Sequence, residues 1–273
     1  MKKAVVTGGF DGLRSRHVRF LEEASRLGDV HVLLWPDEAV RAMEGQGPRF
    51  PLAERLYLLQ AIRYVRQITV ARGPFERDAI PQVDEIRPDV WAVDQAGDHA
   101  QKRAYGEAHG IEVRVFEDED LEGFPAPRFE LSGKPSSRKK VIVTGCYDWF
   151  HSGHVRFFEE VSGLGDLYVV VGHDENVRLL KGAGHPLFPQ DERRYMVQAV
   201  RYVTQALIST GHGWMDAEPE IARLKPDMYV VNEDGDKPEK RQSCEKHGLQ
   251  YVVLKRLPKE GLPRRESTVL RGF

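Results

Sequence analysis

Residues 141–157 read Val141-Ile142-Val143-Thr144-Gly145-Cys146-Tyr147-Asp148-Trp149-Phe150-His151-Ser152-Gly153-His154-Val155-Arg156-Phe157. The apolar run over 141–143 predicts a strand. The apolar residues Val155, Phe158 and Val161, three apart, predict a helix from Gly153 to Ser162. Between them lies a short turn that carries two imidazoles on either side of a serine and a glycine. Strand, tight turn and helix in that order set donor groups at a helix N-terminus, a place that suits a phosphate.

The same paragraph occurs earlier in altered form. Thr7-Gly8-Gly9-Phe10-Asp11 aligns with Thr144-Gly145-Cys146-Tyr147-Asp148, and His17-Val18-Arg19-Phe20 with His154-Val155-Arg156-Phe157, at an offset of 137. Leu27-Gly28-Asp29 and Leu164-Gly165-Asp166 keep that offset. Past an insertion near His185 it becomes 138, where Glu54-Arg55 meets Glu192-Arg193 and Arg63-Tyr64-Val65 meets Arg201-Tyr202-Val203. So many matches on one diagonal establish a tandem repeat.

In the second copy, strands are predicted over Lys140–Thr144, 167–171, Met228–Val231 and Tyr251–Leu254. Helices are predicted over Gly153–Ser162, Glu192–Tyr202 and Pro238–His247. This is an α/β pattern of two tandem Rossmann-like domains with parallel sheets, whose ligands bind at the carboxyl ends of the strands. Expected boundaries are 1–124 for the first domain, 125–138 for a linker with prolines, serines and a glycine, and 139–273 for the second. Trp91, Trp149 and Trp214 read as core or interface residues.

Composition narrows the partners. The chain has 273 residues, a net charge of −2 and 30% charged residues, so no basic field favours nucleic acid or an anionic membrane. No apolar stretch is long enough to span a bilayer, and Gly8-Gly9 and Asp11 interrupt the N-terminal apolar run before it resembles a leader. Two cysteines, Cys146 and Cys244, fit neither a disulfide framework nor a zinc site, and a cytoplasmic location is expected.

Gly-Cys-Tyr-Asp-Trp-Phe-His-Ser-Gly-His resembles the HxGH signature of the nucleotidyltransferase superfamily, in its cytidylyltransferase branch. Lys181-Gly182, Pro186-Leu187-Phe188 and Gln190-Asp191-Glu192-Arg193 are similar to that branch's lysine-glycine segment and following helix, and Ser267-Thr268 to its Ile-Ser-Thr motif. The pattern is most similar to phosphoethanolamine and glycerol-3-phosphate cytidylyltransferases. The resemblance implies attack by a phosphate oxygen of a small phosphorylated acceptor on the α-phosphorus of CTP, releasing pyrophosphate. ATP is the alternative donor, and a catalytically silent nucleotide-binding regulator is an alternative of another class.

The same resemblance implies that His151, His154, Lys181, Ser267 and Thr268 carry the transfer. It gives Tyr147, Gly153, Arg201, Asn232, Arg264 and Arg265 to nucleotide binding, with Gly153 small so that backbone can approach the phosphates. Mg²⁺ is expected with the triphosphate, without protein ligands. Asp234 and Asp236 hint at an aminoalcohol acceptor. His173 is placed for a contact with nucleotide or for solvent alike.

The first copy departs at the residues that carry this chemistry. Arg14 and Arg16 replace His151 and Gly153, Glu44 replaces Lys181, and Phe129 and Glu130 replace Ser267 and Thr268, while His17 persists. The first domain is therefore expected to be a pseudo-enzyme that pairs with the second as an internal pseudo-dimer, a further homodimer remaining open. Arg193 and Arg201 persist in the first copy as Arg55 and Arg63, so for both a structural role weighs at least as much as a catalytic one.

Overall fold

The computed structural model describes residues 2–73, 83, 85–125 and 136–270, with only backbone at Thr268. Phe129 and Glu130 lie outside the described residues. The chain divides after Gly123 into two compact units. The first runs β1 (Lys3–Gly8), α1 (Ser15–Ser25), β2 (Asp29–Leu34), α2 (Asp37–Glu44), α3 (Leu52–Ala61), β3 (Val65–Val70), β4 (Val90–Asp94), α4 (Ala100–His109) and β5 (Glu112–Phe116). The second runs β6 (Lys140–Gly145), α5 (Ser152–Ser162), β7 (Asp166–Val171), α6 (Asp174–Lys181), α7 (Gln190–Gln198), β8 (Val203–Ile208), α8 (Glu218–Leu224), β9 (Met228–Asn232), α9 (Pro238–His247), β10 (Gln250–Leu254) and α10 (Ser267–Leu270).

Each unit holds one five-stranded parallel sheet, β3-β2-β1-β4-β5 in the first and β8-β7-β6-β9-β10 in the second. The strand order reverses at β1/β4 and at β6/β9. A crevice opens outside the carboxyl ends of the strands at such a switch point. The centre of β6 explains its place in the middle: Val141, Ile142 and Val143 are fully buried, as a strand covered on both faces requires. Val141 pairs with Leu167 on one side and with Met228 on the other.

In the second unit α6, α8 and β8 were not expected, and one helix ends early. The helix predicted to reach Tyr202 stops at Gln198, and a fifth strand, β8, begins at Val203. Val200, Tyr202 and Val203 are β-branched or aromatic, poor at continuing a helix and good in a strand. The buried Gln198 closes the corner, its side-chain oxygen accepting the Ala206 N–H at 2.7 Å. Phe124 belongs with the second unit, where its ring packs on Tyr195.

Arg193 is the hub beneath the site. It is 1% exposed and donates to the carbonyls of Phe188 (2.9 Å), Cys146 (2.6 Å) and Gly172 (2.8 Å) and to the Asp174 carboxylate (2.7 Å). Arg55 does the same in the first unit, toward Phe50, Gly9, Trp35 and Asp37. Each guanidinium ties the loops after the first and second strands of its unit to the helix that carries it. Asp148 completes the frame by accepting the Leu187 and Phe188 N–H groups at 2.7 and 3.0 Å, and Asp11 matches it at Arg49 and Phe50.

Candidate active site

In the second unit a cavity of about 430 Å³ opens at the β6/β9 switch point. Its floor is the turn between β6 and α5. Tyr147 takes a left-handed backbone (φ 53°), and Phe10 takes it at the matching place in the first unit (φ 49°). For bulky residues this conformation is strained, and it persists because the surroundings hold it. The Tyr147 ring folds back over Gly145, where an added Cβ would come within 2.7 Å of it.

His151 is the N-cap of α5, with extended backbone, and its Nδ1 accepts the Gly153 N–H at 3.1 Å. An Nδ1 that accepts is unprotonated, so in the neutral ring the proton sits on Nε2. That Nε2 is buried and, like Nδ1 of His154, has no hydrogen-bond partner within the described protein. The two imidazoles stack with centroids 3.9 Å apart. Burial pushes the His151 pKa down to about 3, with Arg256 and Arg265 adding to the effect. Burial also pushes His154 well below its ordinary value, helped by His151, Arg256 and Lys181. Both rings are therefore held neutral at pH 7, and the positive charge beside them belongs to Lys181 and Arg256.

Gly153 has a reason within the protein itself. An added Cβ would lie 2.9 Å from Cε1 and 3.0 Å from Nδ1 of His151. The glycine makes room for the imidazole.

Lys181, the last residue of α6, lines the cavity, as do His151, His154, Tyr147, Gly153, Asn232 and Ser267. Ser267 is the first residue of α10 and its hydroxyl donates to the Trp149 carbonyl at 3.2 Å. The side chain of Thr268 lies outside the described residues. Arg264 and Arg265 sit beside a smaller neighbouring pocket, where Arg264 faces the Glu266 carboxylate at 3.5 Å.

Arg201 is not brought to the cavity. It stands exposed between α7 and β8, at the amino end of its strand, whereas the cavity lies at the carboxyl ends. His173 also turns away, its backbone N–H and Nδ1 both meeting the Ser209 hydroxyl, at 3.0 and 3.2 Å. Asp234 lines the cavity and is paired with Arg256, while Asp236 is paired with Arg241 and Tyr251.

Sequence reasoning missed Arg256 and Trp214. Arg256 follows β10, lines both pockets, and donates to the Arg265 carbonyl at 3.2 Å. A basic residue just past the carboxyl end of a parallel strand was the available signal. Trp149 is buried and Trp91 wholly so, but Trp214 is 44% exposed and faces the cavity. Its loop is pinned by Asn176, which accepts the Gly213 N–H at 2.7 Å and donates to the Gly213 carbonyl at 3.1 Å.

Neutral imidazoles, a lysine and an arginine around one cavity form an array suited to polyphosphate oxygens, where fixed donors cost no reorganisation as charge develops. Among the described residues no group of three or more His, Cys, Asp or Glu side chains converges as a metal site. No described helix is long and apolar enough to cross a membrane.

The cytidylyltransferase-like family model matches residues 142–255. The chain is similar to the FAD synthase of Ferroglobus placidus, 35% identical over 125 residues that cover 45% of this chain and 78% of that protein. It is similar to the FAD synthase of Pyrococcus horikoshii at 38% over 128 residues, covering 45% and 83%. With the parallel sheet, the stacked histidines at a helix entry and these likenesses together, the chain belongs to the cytidylyltransferase-like family of nucleotidyltransferases.

Proposed function

We propose that the second unit moves a nucleoside monophosphate from a triphosphate to a phosphate-bearing acceptor, with release of pyrophosphate. The stacked pair of His151 and His154 carries this reading, because two buried imidazole nitrogens without a protein partner are lined up beside Lys181. The acceptor's phosphate oxygen is already anionic, so the step needs position and charge compensation more than a general base. The Nε2–H of His151 and the ring of His154 hold phosphate oxygens. Lys181 and Arg256 balance the charge that builds on the leaving pyrophosphate. Ser267, at the start of α10, adds a hydroxyl. Mg²⁺ accompanies the triphosphate and neutralises part of its charge, and the protein's own residues do the positioning.

For the substrates we favour ATP and a flavin phosphate. FAD is FMN joined to AMP, so an FAD synthase moves AMP onto FMN, and the relatives of that name support the same pair here. Trp214 supports it independently: an exposed indole at a cavity wall suits a flat aromatic acceptor. The second reading, CMP transfer from CTP, is favoured by the description of the matching family model. The first unit transfers nothing in this proposal, since Glu44 and Arg14 stand where Lys181 and His151 stand. Pyrophosphate release from ATP and CTP, each with FMN and with phosphorylated aminoalcohols, tests the reading. Release with ATP and FMN supports it, CTP with an aminoalcohol phosphate supports the second, and none with any pair overturns both.

A further inference from the structure

The first unit lacks the second unit's phosphate contacts but keeps, and enlarges, its cavity. About 630 Å³ opens at the β1/β4 switch point, against about 430 Å³ in the second unit. The wall repeats position by position: Thr7 to Asp11 occupy the place of Thr144 to Asp148, and Asp94, Gly97 and Lys102 that of Asn232, Gly235 and Lys240.

What the wall offers has changed in a consistent direction. At the phosphate end, His17 Nδ1 accepts the Arg14 N–H at 3.1 Å, so this imidazole is committed to the entry of α1 while Nδ1 of His154 is not. Glu44 stands where Lys181 stands, and burial together with nearby Asp11 raises its carboxyl pKa. Asp11 has its counterpart in Asp148 and accepts the Arg49 and Phe50 N–H groups, so the change is Glu44 for Lys181: a carboxylate stands where the second unit has a cation, and it opposes a phosphate there.

Beside Glu44 the wall has gained an aromatic: a Cβ on Gly9 would lie 3.5 Å from Glu44 Oε1 and 3.6 Å from Trp35 Cε3. Half-buried Trp35 replaces Gly172 and joins Phe10 and Phe20. Asp94 replaces Asn232 at the carboxyl end of β4. One of its oxygens accepts the Gly97 N–H at 2.9 Å, and Lys102, the basic neighbour, is spent on the Gly97 carbonyl at 2.6 Å. A carboxylate at the end of a strand beside the switch point is suited to accept sugar hydroxyls. The remaining cations, Arg49 and Arg72, stand exposed on the rim.

We propose that the first unit's cavity binds an unphosphorylated nucleoside, its base against Trp35 and its sugar hydroxyls on Asp94, and that the carboxylate of Glu44 excludes the corresponding nucleotide. A domain without transfer chemistry thereby becomes a sensor of the dephosphorylated form of what its neighbour uses.

The test is calorimetric titration of the full chain with adenosine, cytidine, guanosine and uridine and with their 5′-monophosphates. At least one nucleoside should bind, ten-fold or more tightly than its monophosphate. Trp35→Ala and Asp94→Asn should each weaken that binding ten-fold or more, Trp35→Phe by less than three-fold, and Glu44→Gln should narrow the nucleoside-to-monophosphate preference at least three-fold. His151→Ala should leave nucleoside binding unchanged, which separates this site from the second unit's. If Trp35→Ala does not fold, Asp94→Asn and Glu44→Gln carry the test. Absence of nucleoside binding, equal affinity for the monophosphate, or binding that survives Asp94→Asn but is lost in His151→Ala would overturn the proposal.

Discussion

Gly153→Ala separates the catalytic from the structural reading of the turn. The new methyl carbon would lie 2.9 Å from His151 Cε1 and 3.0 Å from Nδ1, and ordinary carbon contacts begin near 3.5 Å. The ring must therefore retreat by about 0.6 Å, which disrupts the 3.1 Å bond from the Gly153 N–H and the 3.9 Å stack on His154. Losing the hydrogen bond costs about 1 kcal/mol. Restricting the unfolded chain by replacing glycine returns about 0.4–1 kcal/mol. The net change in stability should stay within about 1 kcal/mol, or about 2–4 °C in melting temperature for a unit of this size. Function should suffer far more, because displacing a positioned donor by a fraction of an ångström to an ångström costs on the order of 100-fold in rate. Thermal melts and pyrophosphate release on the same preparation measure both. Turnover within three-fold of wild type would refute the role given to the His151 imidazole. A loss of more than about 3 kcal/mol would make the glycine a structural element instead.

The depressed His151 pKa gives a pH signature. An unfolded histidine near 6.5 binds protons that the folded ring, at about 3, does not, so this contribution to stability is complete above pH 6.5 and falls by about 1.4 kcal/mol per unit as the pH drops toward 3. Denaturant titrations of His151→Ala across pH 4–7 should therefore show a shallower acid limb than wild type, and an identical limb would contradict the burial argument. Arg193→Met strands three carbonyls and the Asp174 carboxylate and should cost about 3–5 kcal/mol, read as a fall in the urea midpoint; a loss below about 1 kcal/mol would remove Arg193 as the hub. Arg256→Ala should lower kcat/KM for the triphosphate on the order of 100-fold while Arg201→Ala leaves it within two-fold, and the reverse ranking in steady-state kinetics would contradict the placement of the two arginines. Trp214→Ala should raise the KM for FMN about ten-fold with little change for ATP, and an unchanged FMN KM would remove the indole from the acceptor's path.

Much of this was legible in the residues because the chain carries its own comparison. The repeat fixed the α/β architecture, and the buried run Val141–Val143 marked the central strand. Two arginines persist in both copies and left scaffold and chemistry open alike; one of them, Arg193, is the hub that binds backbone carbonyls. Local periodicity failed at Gln198, where the helix yields to β8 and a side chain rather than a glycine or proline makes the corner. Arg256 and Trp214 escaped because their importance depends on where a strand end and a pinned loop come to rest, which no local pattern records. Arg201 misled for the complementary reason: its motif neighbours Arg193 in sequence, but the turn after α7 carries it to the opposite edge of the sheet. Gly153 was noticed for its smallness, but only the rotamer of His151 reveals that the missing side chain also leaves room for the imidazole.

The central claim is nucleotidyl transfer by the second unit, and the most direct test is mass-spectrometric detection of product from the full chain incubated with ATP, Mg²⁺ and FMN. The account predicts FAD and pyrophosphate in equal amounts, abolished by His151→Ala and untouched by Asp94→Asn. No nucleotidyl product from ATP or CTP with any phosphorylated acceptor, or product that persists undiminished in His151→Ala, would contradict it.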